Sequence, residues 1–173
     1  MSVPRTASTW RSIVADMDTG APYAVHAIAI ATSVLALVAV VMLNFEGMKI
    51  LGRAYNSHRK RAGGVVGRHR MLYLVFGLIA MHVISMLVFG VGYWLLLKVP
   101  GAGNISGAHH DTLFDAFYLS AMTYSTVGFG DLAPKGPIRW LAGAEALMGL
   151  MMVAWSASFA FMEMSRHWRD DLK

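Results

Sequence analysis

No cysteine occurs in the 173 residues, which removes disulfides, thiolate metal sites and thiol nucleophiles together. Charge is scarce too: Asp, Glu, Lys and Arg make up 14% of the chain, against about a quarter in soluble domains. Acids are the rarer sign, ten against fifteen bases, for a formal net charge of +5. What is abundant is apolar: 56% of residues are hydrophobic and the mean hydropathy is +0.50. Lipid is therefore the solvent for most of this chain. A pI near 9.7 also suits nucleic-acid binding, but in an apolar chain clustered Lys and Arg more often report topology or anionic lipid. Neither a nucleotide-binding motif nor a metal-ligand cluster appears, and nothing suggests an enzyme.

Three segments are long and apolar enough to cross a bilayer, which takes about 20 residues. They are 22–45, 71–97 and 138–164. The first is too long for the apolar region of a cleaved signal, and its Ala-x-Ala triplets come too early. Between the first two lies 46–70, with Lys49, Arg53, Arg59, Lys60, Arg61, Arg68 and Arg70, whereas segment 1–21 holds Arg5 and Arg11. The positive-inside rule places the basic loop in the cytoplasm, the amino terminus outside, and the tail 166–173 in the cytoplasm. Tyr23, Tyr93, Trp94, Trp140 and Trp168 fall near the expected interfaces, as an aromatic belt would.

The segment between the second and third spans has two parts. Residues 98–111 read as a Gly-rich loop, and 112–124 as a short helix opened by a Thr112-x-x-Asp115 capping box. Such a helix is roughly 18 Å long, too short for about 30 Å of hydrocarbon, so it must dip in from outside and return. Ser125, Thr126, Val127, Gly128, Phe129, Gly130 and Asp131 follow. Irregular backbone at membrane depth survives only when buried in protein or lining a water-filled path. Gly128 and Gly130 permit angles that let successive carbonyls point one way. A row of carbonyls, with the Thr126 hydroxyl, can replace the hydration shell of a monovalent cation. The short helix aims its negative end at the membrane centre, and Asp131 at the outer mouth concentrates cations.

The run Thr126-Val-Gly-Phe-Gly-Asp131 resembles the signature of potassium channels, and 71–165 is similar to the pore module of two-transmembrane-type bacterial potassium channels. The resemblance implies an all-α integral membrane protein. It would have an outer helix 71–97, turret 98–111, pore helix 112–124, filter 125–131 and inner helix 138–164, assembled as a homotetramer. It also implies a bacterial inner-membrane location, with K+ held at Thr126, Val127, Gly128 and Phe129, and with Gly130 completing the filter. Gly149 falls at the position of a hinge glycine. The helical stripe Leu150, Val153, Ala157 and Phe161 would line the cavity, with four Phe161 rings as a gate that stops ions by dewetting; the alternative is that Phe161 faces lipid. Three features depart from the pattern. Phe129 replaces the commoner tyrosine and loses a hydroxyl, leaving Phe117 and Tyr118 to support the filter by packing. Met122 stands where some members carry a glutamate, so Asp131 needs another partner. The span 22–45 is additional.

Other residues have two readings each. Glu145, deep in a span, is either a structural acid hydrogen-bonded behind the pore helix or part of the ion pathway. His82 is a packing histidine or a proton sensor. His109, His110 and Asp111 form a solvated loop, or else a pH-sensing or metal-binding run. Asn104-Ile105-Ser106 matches a glycosylation sequon, meaningful only in a secretory-pathway host. The basic loop sets topology and can also hold anionic lipid. Ala27 and Ala31, one turn apart, suit packing on the outer helix or on a neighbouring subunit. The first span has no arginine and is not an S4-type voltage sensor. The expectation is a passive potassium-selective channel with no cofactor beyond the permeant ion. A weakly selective cation channel and a non-conducting accessory subunit are the rivals.

Overall fold

The computed structural model describes residues 23–61, 68–108 and 112–171. Segment 1–21 and the run His109 to Asp111 lie outside them. Four helices follow in order: α1 (Tyr23–Arg61), α2 (Arg68–Leu97), α3 (Leu113–Tyr124) and α4 (Arg139–Asp171). The stretches Tyr23–Arg53, Leu72–Leu97 and Arg139–Ser165 are long and apolar enough to cross a membrane. The protein is thus an all-α integral membrane protein with three candidate spans.

Two boundaries differ from those expected of the sequence. Helix α1 continues to Arg61 through much of the presumed loop 46–70, and α4 runs to Asp171 through most of the presumed tail. Hydropathy marks where lipid ends, not where a helix ends. Lys, Arg, Leu and Ala are good helix formers, so both helices continue past their apolar stretches.

Helix α1 docks on the others through Val25, Ala29, Ser33, Ala36, Val40, Asn44 and Met48, all buried at three- or four-residue spacing. Ala27 and Ala31 are exposed on the single chain, outside this buried stripe, so of the two packings their spacing suits it is the one on a neighbouring subunit that stays open. The close approaches lie lower down: Gly47 faces Met81, and Gly77 of α2 faces Leu51. Small residues let helix backbones approach where lipid offers no hydrophobic drive. The shared core adds Phe89, Tyr93 and Leu96 of α2, Leu119 and Tyr124 of α3, and Leu141, Met148 and Met152 of α4.

Sequence patterns did not reveal a short antiparallel ribbon. Strand β1 (Asn104–Ser106) pairs with β2 (Ala133–Lys135), Ile105 opposite Pro134. The ribbon clips the segment after Asp131 to the loop before α3. Gly107 sits at φ 95°, where a β-carbon would overlap the Asp131 carbonyl. The sequon Asn104 to Ser106 is this strand.

Candidate functional site

Helix α3 begins as its sequence suggests. The Thr112 hydroxyl accepts a hydrogen bond from Asp115 N at 3.1 Å, and Thr112 N donates to Asp115 Oδ2 at 3.3 Å. Both arms of a capping box are therefore present. The helix ends at Tyr124, where Ser125 N donates to the Ala121 carbonyl at 3.2 Å and Ser125 Oγ to the same oxygen at 2.6 Å.

Beyond this cap the backbone alternates. Thr126, Gly128 and Gly130 have positive φ, at 59°, 52° and 83°. For the glycines this conformation is inexpensive, and a β-carbon on either would meet nothing within 4 Å of its own chain. Backbone angle, not crowding within the chain, is what these positions require of glycine. Thr126 is β-branched, and the left-handed region costs such a residue about 1–2 kcal/mol. The surrounding bonds hold it there: Thr126 N donates to Thr123 O at 3.0 Å, and Gly128 N to Met122 O at 3.2 Å. Strain of this kind persists where surrounding structure over-determines it, often at functional sites.

The strip Ser125 to Asp131 is exposed on the single chain, Phe129 at 71% and Val127 at 53%. Tyr118 is half-buried on α3, and Asp131 is exposed at the end of the strip. Phe117 points elsewhere, against Gly90 of α2, where a β-carbon would overlap its ring.

Behind α3 lies a polar knot that joins three helices. Glu145 of α4 is fully buried. Tyr93 of α2 donates to its Oε2 at 2.7 Å, and the Ser120 hydroxyl of α3 meets its Oε1. Ser120 Oγ also donates to the Met86 carbonyl at 2.7 Å. One hydroxyl proton cannot serve two acceptors, so all three bonds form when Glu145 is a neutral carboxyl that donates to Ser120. Four residues on, a β-carbon at Gly149 would overlap the Tyr124 carbonyl oxygen. Gly149 therefore lets α4 press against the end of α3, within a helix that runs unbroken through it. Tyr124 packs near Phe89 and His82, and its hydroxyl lies 3.1 Å from His82 Nδ1.

The stripe Leu150, Val153, Ala157 and Phe161 is exposed along one face of α4. Among the described residues no three His, Asp or Glu side chains gather as metal ligands. Sequence reasoning missed Tyr93, Ser120, Tyr124, Asn44 and Ser85. The available signal was hydroxyl and amide side chains placed in apolar helices that also hold an acid.

Residues 71–166 match the family described as ion channel, a region that excludes α1. Protein LctB of Geobacillus stearothermophilus is 46% identical over 55 residues, 32% of this chain and 41% of that protein. Protein LctB of Bacillus caldotenax is 35% identical over 97 residues, 52% of this chain and 72% of that one. The inward rectifier potassium channel Kirbac3.1 of Paramagnetospirillum magnetotacticum is 36% identical over 63 residues, 36% of this chain and 21% of that channel. The aligned region is thus less than half the length of two of these relatives. No solved structure matches.

Proposed function

Because the chain belongs to the ion channel family, whose match spans residues 71–166, we propose that it is the pore-forming subunit of a homotetrameric potassium-selective channel. The observation that carries this reading is the alternation of left-handed backbone at Thr126, Gly128 and Gly130, directly after a short helix too short to span. Alternating hand turns successive carbonyls to a common side, which is what replacing the hydration shell of K+ requires. Val127 and Phe129 contribute the intervening carbonyls, and the Thr126 hydroxyl the innermost oxygen. The similarity to Kirbac3.1, an inward rectifier potassium channel, supports the choice of ion.

Each part then has a role. One exposed strip cannot surround an ion, so four chains contribute one each. Helix α3 points its carboxyl end inward, favouring a cation at the membrane centre. Asp131 draws cations to the outer mouth. Glu145 is structural, because its oxygens are occupied by Tyr93 and Ser120. Gly149 combines close packing with a hinge. The Leu150 to Phe161 stripe lines the cavity, and the ion moves passively down its gradient. The amino terminus is outside and the carboxyl end in the cytoplasm of a bacterial inner membrane, with anionic lipid at the basic residues after Met48.

The test is the reversal potential of the purified full chain in liposomes under a potassium/sodium gradient. A shift to the potassium value is expected. An intermediate value would favour a weakly selective channel, consistent with the hydroxyl that Phe129 lacks, and silence would favour an accessory subunit. Gly128→Ala places a β-carbon at φ 52°, a conformation costing about 1–2 kcal/mol, and should abolish selective current. Unchanged selectivity in that variant defeats the carbonyl filter.

A further inference from the structure

The inner half of the filter strip hangs on the last turn of α3. Ser125 N donates to Ala121 O at 3.2 Å, Thr126 N to Thr123 O at 3.0 Å and Gly128 N to Met122 O at 3.2 Å. These bonds hold Thr126 at a φ of 59°, a conformation that its β-branched side chain disfavours. If the turn loosened, Thr126 could relax out of the left-handed region. Whatever fixes that turn therefore fixes the strained backbone beyond it.

Tyr124 closes the turn and ties it to two other helices. Its carbonyl oxygen is pressed against Gly149 of α4, where a β-carbon would overlap it. Its side chain is buried and reaches across to α2. There its ring lies 6.4 Å from the Phe89 ring and 5.8 Å from the half-buried His82 imidazole. The hydroxyl stands 3.1 Å from His82 Nδ1, a hydrogen bond between residues 42 apart in sequence. Packing on Phe89 needs only a phenyl ring. What the hydroxyl adds is a directional tie, and His82 is the group at its other end. An imidazole within the apolar stretch Leu72–Leu97 is unfavourable without such a partner.

We propose that His82 is a positioning residue for the filter: through Tyr124 it fixes the last turn of α3, and with it the left-handed Thr126. This rests on the channel reading above. Loss of the bond lets the turn relax and shortens the conducting state of the filter. An interhelical hydrogen bond of the strength usual in membranes corresponds to about a threefold change in a two-state ratio.

The experiment is single-channel recording from the full-length protein in bilayers, with the thermal melting of the detergent-solubilised complex measured alongside. His82→Leu and Tyr124→Phe should each lower the ratio of open to closed dwell time within bursts about threefold. The double variant should lower it no further, because both changes break one bond. His82→Asn should restore the wild-type ratio, since asparagine carries a hydrogen-bonding atom one bond beyond Cγ, where Nδ1 stands in histidine. A histidine that only fills space predicts the reverse order, with leucine tolerated better than asparagine. Ser33→Ala removes a buried hydroxyl of α1 that serves its own helix at Ala29 O, 2.7 Å away, and should leave the ratio unchanged. If His82→Leu does not assemble, Tyr124→Phe tests the bond from its other end. A wild-type ratio in either variant overturns the proposal, as do effects that multiply in the double variant. So does an assembled His82→Asn channel that behaves like His82→Leu. Absence of wild-type current overturns the channel reading and the proposal with it, an outcome distinct from normal wild-type current with unaltered variants.

Discussion

Glu145 poses the sharpest energetic question in the chain, because an acid in a span is expensive unless satisfied. Its bonds to Tyr93 and Ser120, taken together with the Ser120–Met86 bond, close at once when the carboxyl carries a proton. Glutamine can donate and accept at the same reach, so Glu145→Gln should assemble and conduct near wild type. Glu145→Ala leaves the Tyr93 hydroxyl buried without its partner and opens a cavity, for a loss of about 2–4 kcal/mol. Melting of the solubilised complex measures both variants; equal loss in the two would refute a neutral, donating carboxyl. Gly149 makes a second residue-scale prediction. Gly149→Ala should lower stability or current even if no bending occurs, because its β-carbon would overlap the Tyr124 carbonyl. Sequence alone showed an acid in a span and a glycine in an inner helix. Their partners were not legible: Tyr93 lies 52 residues before Glu145, and only the packing of three helices brings them together. The left-handed Thr126 was equally hidden, since β-branching argues against that conformation and the context overrides it.

Among the elements, those with local chemical punctuation were the readable ones. Helix α3 runs from its capping box to the first residue before the irregular strip, as Thr112, Asp115 and the two glycines announced. Thr112→Ala should cost about 1 kcal/mol at that cap, seen as lower melting with selectivity retained. The ends of α1 and α4 were misjudged because hydropathy reports the lipid boundary and not the hydrogen-bond ladder. The β1–β2 ribbon was missed because three-residue strands, one between two glycines and the other containing a proline, carry no alternation to read. Helix α4 allows a functional test of its own. Leu150, Val153, Ala157 and Phe161 share one exposed face, and Phe161 is 68% exposed on the single chain. If four Phe161 rings close the inner end by dewetting, Phe161→Ala should raise resting potassium flux into liposomes with selectivity intact. Wild-type flux in a variant that assembles normally would remove Phe161 from the gate and leave it facing lipid.

At the scale of the whole molecule, the filter strip makes sense only in company. On the proposed reading, a chain that exposes Phe129 and Val127 beside Asp131 contributes one wall of a pore. Cyclic assembly of four such walls, as proposed, would surround an ion with carbonyls and return those side chains to protein contacts. Native mass measurement in detergent should therefore find four times the 18.9 kDa chain, and a species that stops at two would contradict the pore. The orientation proposed for that assembly rests on charge. Seven Lys and Arg residues lie between Lys49 and Arg70, against two before Pro22, and such clusters stay on the cytoplasmic side. The turret, reached after the next crossing, is then expected to face out. The absence of native cysteine makes this testable without background. Asn104→Cys, on the exposed edge of β1, should react with a membrane-impermeant maleimide added to intact spheroplasts. Ser57→Cys, inside the basic cluster, should react only after the membrane is opened. Swapped reactivities would invert the molecule, placing Asp131 at the cytoplasmic mouth and α3 entering from the inside.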